Sequence, residues 1–200
     1  NAADQYFIMG STHIDVNGQF YTVTIDGVSS GYAGLIQNGT STGSGQFSNI
    51  NVSNILLTGI NGSLLKSVSG VASGWICQYY FGYNSVDGSN NPTCTVTNCA
   101  SNASLRASVG IGAGGIAGDY STASFVNCYS LGNVAGGDGG GITGFQCLKC
   151  KATNCYSLGA ISGSGAGGIF GSFSYTCTAT NCFSIGAISG NSAGGCLLYT

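Results

Sequence analysis

A repeat constrains this chain more than any other feature. Asn-Cys recurs at Asn98-Cys99, Asn127-Cys128, Asn154-Cys155 and Asn181-Cys182, at spacings of 29, 27 and 27 residues. The best-matched units, 152–171 (ATNCYSLGAISGSGAGGIFG) and 179–198 (ATNCFSIGAISGNSAGGCLL), agree column by column. An aromatic follows the cysteine (Tyr129, Tyr156, Phe183), then serine (Ser130, Ser157, Ser184), an aliphatic (Leu131, Leu158, Ile185) and glycine (Gly132, Gly159, Gly186). Units close on Gly114-Gly115-Ile116, Gly140-Gly141-Ile142 and Gly167-Gly168-Ile169. Helical repeats have longer units and few glycines, and a propeller blade needs about 40 residues. A period of 27 therefore predicts short strands joined by tight corners. Units stacked at ~4.8 Å would place like residues in ladders. Asn98, Asn127, Asn154 and Asn181 are the ladder asparagines, at a corner where the left-handed backbone conformation is tolerated.

Composition points the same way. Glutamate is absent, Pro92 is the one proline, and 36 glycines stand beside only ten charged residues. Helix surfaces lack their usual residues. Disorder combines low hydrophobicity with high charge, whereas here 43% of residues are hydrophobic and the net charge is −2. Four scattered cations make no nucleic-acid stripe, and no apolar run approaches a membrane span.

The register continues backward more weakly. Residues 52–62 (VSNILLTGING) fit it with one deletion, Gly74-Trp75-Ile76 replaces the Gly-Gly-Ile, and residues 32–36 (YAGLI) resemble another closing segment. Ile36, Ile76 and Ile116 are each 40 residues apart, which implies excursions such as the loop 79–91. His13 to Val16, Asn17-Gly18 and Gln19 to Thr22 read as a β-hairpin with a type I′ turn. The expected fold is all-β: a right-handed parallel β-solenoid of about six coils with an N-terminal β-hairpin. Residues 1–22 form the hairpin or cap, 23–93 irregular coils and 94–200 regular ones.

These units resemble the GLUG motif, named for its Gly-Leu-hydrophobic-Gly core. Gly115-Ile116-Ala117-Gly118, Gly141-Ile142-Thr143-Gly144 and Gly168-Ile169-Phe170-Gly171 stand as that core, and 127–132 and 154–159 as its Asn-Cys-Tyr-Ser-x-Gly segment. The resemblance covers roughly residues 94–198. It implies extracellular architecture, as in large secreted surface proteins, and brings no catalytic residues.

Ten cysteines favour an oxidising compartment. Cys94/Cys99, Cys150/Cys155 and Cys177/Cys182 share one spacing around the Asn corner, and disulfides within each coil are the expectation. Pairs between coils are the rival, since one rung lies inside the Cα range of a disulfide. A zinc site from Cys147, Cys150 and Cys155 has suitable ligands but loose spacing and no nearby histidine. The Tyr129, Tyr156, Phe183 column reads as interior packing, with a sugar-stacking face as the alternative. The threonine columns (Thr95, Thr178; Thr97, Thr153, Thr180) carry an ice-binding reading, which Lys151 and Val126 interrupt. The sequons at Asn38, Asn51, Asn61 and Asn102 are the glycosylation candidates, in a number this composition reaches by chance.

No catalytic, cofactor-binding or metal-binding residues are assigned, no cofactor is expected, and the chain reads as no enzyme. The expected role is mechanical: an extracellular, rod-like subunit of a surface fibre, assembling head to tail with copies of itself. Tyr6, Phe7, Ile8 and Met9 at one end and Leu197, Leu198 and Tyr199 at the other are the assembly segments, both apolar. A start at Asn1 fits signal-peptide removal or a piece of a longer protein, and a stop in mid-coil fits a piece or a subunit awaiting its neighbour. The alternative is the stalk or carbohydrate-binding region of a cell-surface adhesin. A polysaccharide-active β-helix enzyme is the minor alternative, with Asp119 and Asp138 brought together by stacking.

Overall fold

The structure, a computed structural model, describes residues 5–196 apart from 41, 43, 69 and 104–111. The described residues contain no helix. The chain is all-β, and its strands are short because β-branched and aromatic residues alternate for only a few positions before an asparagine or glycine corner.

Twelve of the sixteen strands build two six-stranded parallel sheets. The first contains β2 (Ile14–Asn17), β5 (Ile50–Ser53), β9 (Thr95–Thr97), β11 (Ser124–Val126), β13 (Lys151–Thr153) and β15 (Thr178–Thr180). The second contains β3 (Thr22–Asp26), β6 (Leu56–Ile60), β10 (Ala100–Asn102), β12 (Tyr129–Ser130), β14 (Tyr156–Ser157) and β16 (Phe183–Ser184). Each repeat contributes one strand to each sheet. The registers are constant: Val16, Val52, Val96, Phe125, Ala152 and Ala179 are successive partners in one, and Thr22, Leu56, Ala100, Tyr129, Tyr156 and Phe183 in the other. On a third side β1 (Phe7–Ile8) pairs with β4 (Ile36–Gln37), and parallel bridges continue from Ile36 through Cys77, Ala117 and Thr143 to Phe170. The pair β7 (Ser67–Val68) and β8 (Val71–Ala72) is antiparallel.

Inward side chains of all three sides form one core cluster, with Val52, Val96 and Phe125 meeting Leu57 and the closing isoleucines Ile76, Ile116, Ile142 and Ile169. Backbones approach so closely on the third side that only glycine fits. A Cβ on Gly141 would lie 2.1 Å from the Gly168 carbonyl oxygen and 2.6 Å from Cβ and Oγ of Ser157.

Two readings of the first third are corrected. Residues 13–22 are not a hairpin: β2 pairs with β5 and β3 with β6, and the two strands lie in different sheets. Asn17 does make a turn, accepting the Gln19 N–H at 2.9 Å. The inward pattern Ile14, Val16 continues that of Ile50, Val52, however, so parallel stacking buries more apolar surface than a two-stranded ribbon. The closing segment 32–36 is shifted by one residue, since Ile36 bridges Cys77 and not Ile76.

Candidate assembly interface

The corner asparagines define the most regular feature. Asn54, Asn98, Asn127, Asn154 and Asn181 all have φ between 52° and 56°, which asparagine tolerates better than most residues. Each donates from Nδ2 to the Oδ1 of the preceding repeat: Asn54 to Asn17 at 3.1 Å, Asn98 to Asn54 at 3.1 Å, Asn127 to Asn98 at 3.0 Å, Asn154 to Asn127 at 3.2 Å and Asn181 to Asn154 at 3.3 Å. Every bond points the same way. Among the described residues the array ends on the Asn17 amide nitrogen at one extreme and the Asn181 amide oxygen at the other.

Both large sheets finish at the same two extremes, with β2 and β3 outermost on one side and β15 and β16 on the other. The repeat containing β15 and β16 has the environment of an interior repeat stripped of its neighbour. Ala152 is 1% exposed but its partner Ala179 is exposed, and Ile161 is fully buried while Ile188 is 48% exposed. At the opposite extreme Ile14 and Val16 are half-buried, whereas Ile50 and Val52 are sealed. An apolar cavity of about 500 Å³ opens there, lined by Tyr6, Phe7, Val23, Ile25, Tyr32 and Leu35. Phe7 and Ile8 are exposed and Met9 is buried. Leu197, Leu198 and Tyr199 lie outside the described residues.

The aromatic column is not interior. Tyr129 and Tyr156 stack with centroids 4.9 Å apart and planes 2° apart, Tyr156 and Phe183 at 5.2 Å and 4°, and Phe183 is largely exposed. Ser130 and Ser157 occupy the inward positions. Size decides this parity: the serine side chain sits against the glycine pair, with Ser130 Oγ 2.6 Å from where a Gly115 Cβ would be. Parallel rings this close are offset-stacked, so their faces largely cover one another. Tyr129 meets only Ala100 on the next rung, and a cavity of about 400 Å³ opens there between Tyr129, Leu56, Phe20, Asn98 and Asn127. A second aromatic strip, unseen in the repeat pattern, stacks Tyr80 on Tyr120 at 4.7 Å and continues edge-on to Phe145 and Phe173. Its signal was hidden because Tyr80 and Tyr120 lie 40 residues apart, across an excursion.

All ten cysteines stand as free thiols in the structure, the candidate pairs Cys94/Cys99, Cys150/Cys155 and Cys177/Cys182 among them. Their members belong to different columns and address different groups. The Cys150 thiol donates to the Ser121 carbonyl at 3.2 Å, the Cys155 thiol to the Thr153 carbonyl at 3.4 Å. Like cysteines stack between repeats: the Cys150 N–H donates to the Cys177 sulfur at 3.3 Å and the Cys155 N–H to the Cys182 sulfur at 3.4 Å. Cys147, Cys150 and Cys155 do not converge, and the described residues contain no cluster suited to a metal.

The remaining candidates are structural in their contacts. Asp119 is fully buried and accepts the Ala72 and Phe145 N–H groups, both at 2.8 Å. Burial pushes its carboxyl well above the usual range, with the field of Asp138 a lesser contribution. Asp138 accepts the Ser172 hydroxyl. Stacking does bring these acids within electrostatic reach, but Asp119 is sealed from solvent. Among the sequons, Asn38 is buried, its Nδ2 donating to the Phe47 carbonyl and its Oδ1 accepting the Phe47 N–H, both at 2.8 Å, so it is inaccessible to a glycan. Asn51 and Asn61 donate to Asp15 and Asp26, and Asn102 is exposed at the end of β10. In the threonine columns Thr95, Ser124, Lys151 and Thr178 are successive partners, with Lys151 donating to Asn91 at 2.5 Å. No family model, curated protein or solved structure matches this chain.

Proposed function

We propose that the chain is a right-handed parallel β-solenoid of six coils whose work is structural, as the repeating subunit of an extracellular fibre built by head-to-tail stacking of copies. The carrying observation is the complementarity of the two extremes. A second copy placed with β2 and β3 on β15 and β16 continues both sheets with parallel polarity. It sets Val16 beside Ala179 and Thr22 beside Phe183, and its Asn17 amide nitrogen meets the Asn181 amide oxygen in the direction every other rung uses. One copy is no rod: five strand steps of ~4.8 Å make the stack only about 24 Å tall. Stacking supplies the length. A heterologous contact that does not close grows without limit, and ten charges in 200 residues oppose it little. The GLUG-like cores and the cysteine content are the support for an extracellular setting.

Ala179→Glu tests the assembly. In the single copy residue 179 is exposed, so the variant folds with an unchanged unfolding midpoint. In the stack its carboxylate would be buried against Val16, at a cost of several kcal/mol. Negative-stain microscopy and sedimentation of the parent should show filaments that the variant lacks. A parent that stays monomeric at high concentration, or a variant that polymerises equally, overturns the reading.

The outward ladder favours a second reading, a carbohydrate-binding surface. Its usable ring face is that of Tyr129 at the Ala100 step, rimmed by the Asn98 and Asn127 amides. Retention on immobilised polysaccharide that Tyr129→Ala abolishes, while leaving filaments intact, would mark it as the function.

A further inference from the structure

We propose that Cys155 and Cys182 are a thiol pair that a small disulfide oxidant converts into a staple between the last two described repeats. Three observations carry this. The two residues share one position in adjacent repeats, flanked by the in-register pairs Thr153–Thr180 and Tyr156–Phe183. Their Cα atoms are therefore one strand spacing apart, ~4.8 Å, inside the range a disulfide spans. The Cys182 sulfur already lies over its neighbour, accepting the Cys155 N–H at 3.4 Å. Finally, exposure singles out one entrance: Cys99, Cys128 and Cys155 are fully buried, whereas Cys182 is half-buried at the open extreme.

With glutathione disulfide as oxidant the chemistry balances. The Cys182 thiolate attacks one glutathione sulfur; the S–S bond breaks and one glutathione leaves as a thiol, with a mixed disulfide on Cys182. The Cys155 thiolate then attacks the Cys182 sulfur, expelling the second glutathione as a thiolate that takes up a proton. Two protein thiols become one disulfide, and one glutathione disulfide becomes two glutathione thiols. Cys155 suits the resolving role, because its backbone N–H already holds the Cys182 sulfur one rung away. Cys150 and Cys177 form a similar vertical pair, with the Cys150 N–H donating to the Cys177 sulfur at 3.3 Å. Both are sealed, which makes them an internal control.

The test treats the native chain with glutathione disulfide, quenches with acid and maps the peptides without reduction. The expected product joins Cys155 to Cys182, releases two glutathiones per chain and leaves Cys150 and Cys177 reduced. Cys155→Ser should instead accumulate glutathione on Cys182. A Cys177–Cys182 or Cys182–Cys196 link, equal mixed disulfide in parent and variant, or no reaction at Cys182 overturns the proposal. Because a stacked copy would cover Cys182, the reaction is run at a concentration where sedimentation shows single chains, which separates its outcome from fibre formation.

Discussion

Replacing Asn127 with alanine and, separately, with glycine splits the amide ladder into its two physical contributions. Both variants lose the bond that Asn127 donates to Asn98 at 3.0 Å and the one it accepts from Asn154 at 3.2 Å. These bonds lie at an exposed corner, so each contributes near the low end of the usual range, ~0.5 kcal/mol. Alanine also inherits a φ of 53°, which costs an L-residue roughly 1 kcal/mol or more. Glycine escapes that cost and instead gains unfolded-state freedom, for a smaller net loss. The expectation is about 2 kcal/mol for Asn127→Ala and about 1.5 kcal/mol for Asn127→Gly. Urea unfolding followed by far-UV circular dichroism reads this directly. With a slope of about 2 kcal/mol per molar, the midpoints should fall by about 1 M and about 0.75 M. Equal midpoints would mean that corner geometry costs no more than glycine's added freedom. A glycine variant worse than alanine would refute the ladder account outright.

Two further outcomes follow from packing and charge. Gly141→Ala puts a Cβ 2.1 Å from the Gly168 oxygen and should force the rungs apart, losing about 2–4 kcal/mol in urea unfolding through broken rung bonds and strain. Gly88→Ala, with open space around its Cβ, should change little, and equal effects would sink the steric argument. Asp119 is held well above the ordinary carboxyl value by burial, so the folded chain keeps a proton that the unfolded chain has lost. Its contribution is therefore present below the unfolded value of ~3.9 and lost as pH rises through the folded one. Stability of the parent should decline above pH ~4, and Asp119→Asn should flatten that slope; an unchanged slope would assign the effect to another group.

The period was legible because steric demands recur in it. Glycine pairs mark where backbones touch, and asparagines mark corners at positive φ, as Asn98, Asn127, Asn154 and Asn181 all show. Polarity misled where size ruled. Tyr129 reads as the buried member, yet the closeness of Gly115 leaves room only for Ser130 inside. Spacing left the cysteines open. A fixed separation of five residues suggests pairing within a coil, and each member also has its own column between repeats. Asn17-Gly18 carries a good turn signal, and only the registers of Ile14 and Val16 with Ile50 and Val52 reveal that the strands on either side part company. The two extremes were not legible, since burial of Ala152 and exposure of Ala179 depend on position in the stack, not on sequence.

The one-way amide column also makes the molecule an electrical vector. Main-chain bonds between repeats run in both directions, as with Asn154 N–H to the Thr180 carbonyl and Phe183 N–H to the Cys155 carbonyl, so their dipoles largely cancel. The six carboxamides from Asn17 to Asn181 do not cancel. Each resembles a peptide unit of about 3.5 D, with its nitrogen toward the Asn17 extreme and its oxygen toward the Asn181 extreme. Aligned bonds polarise one another, so the file adds a partly positive end beside the carboxylates of Asp15 and Asp26 at the first extreme and a partly negative end at the second. Copies meeting Asn181 to Asn17 add their vectors, whereas copies meeting like end to like end oppose them. A chain so poor in ionised groups thus carries, in one file of neutral side chains, a label for the direction in which it is stacked.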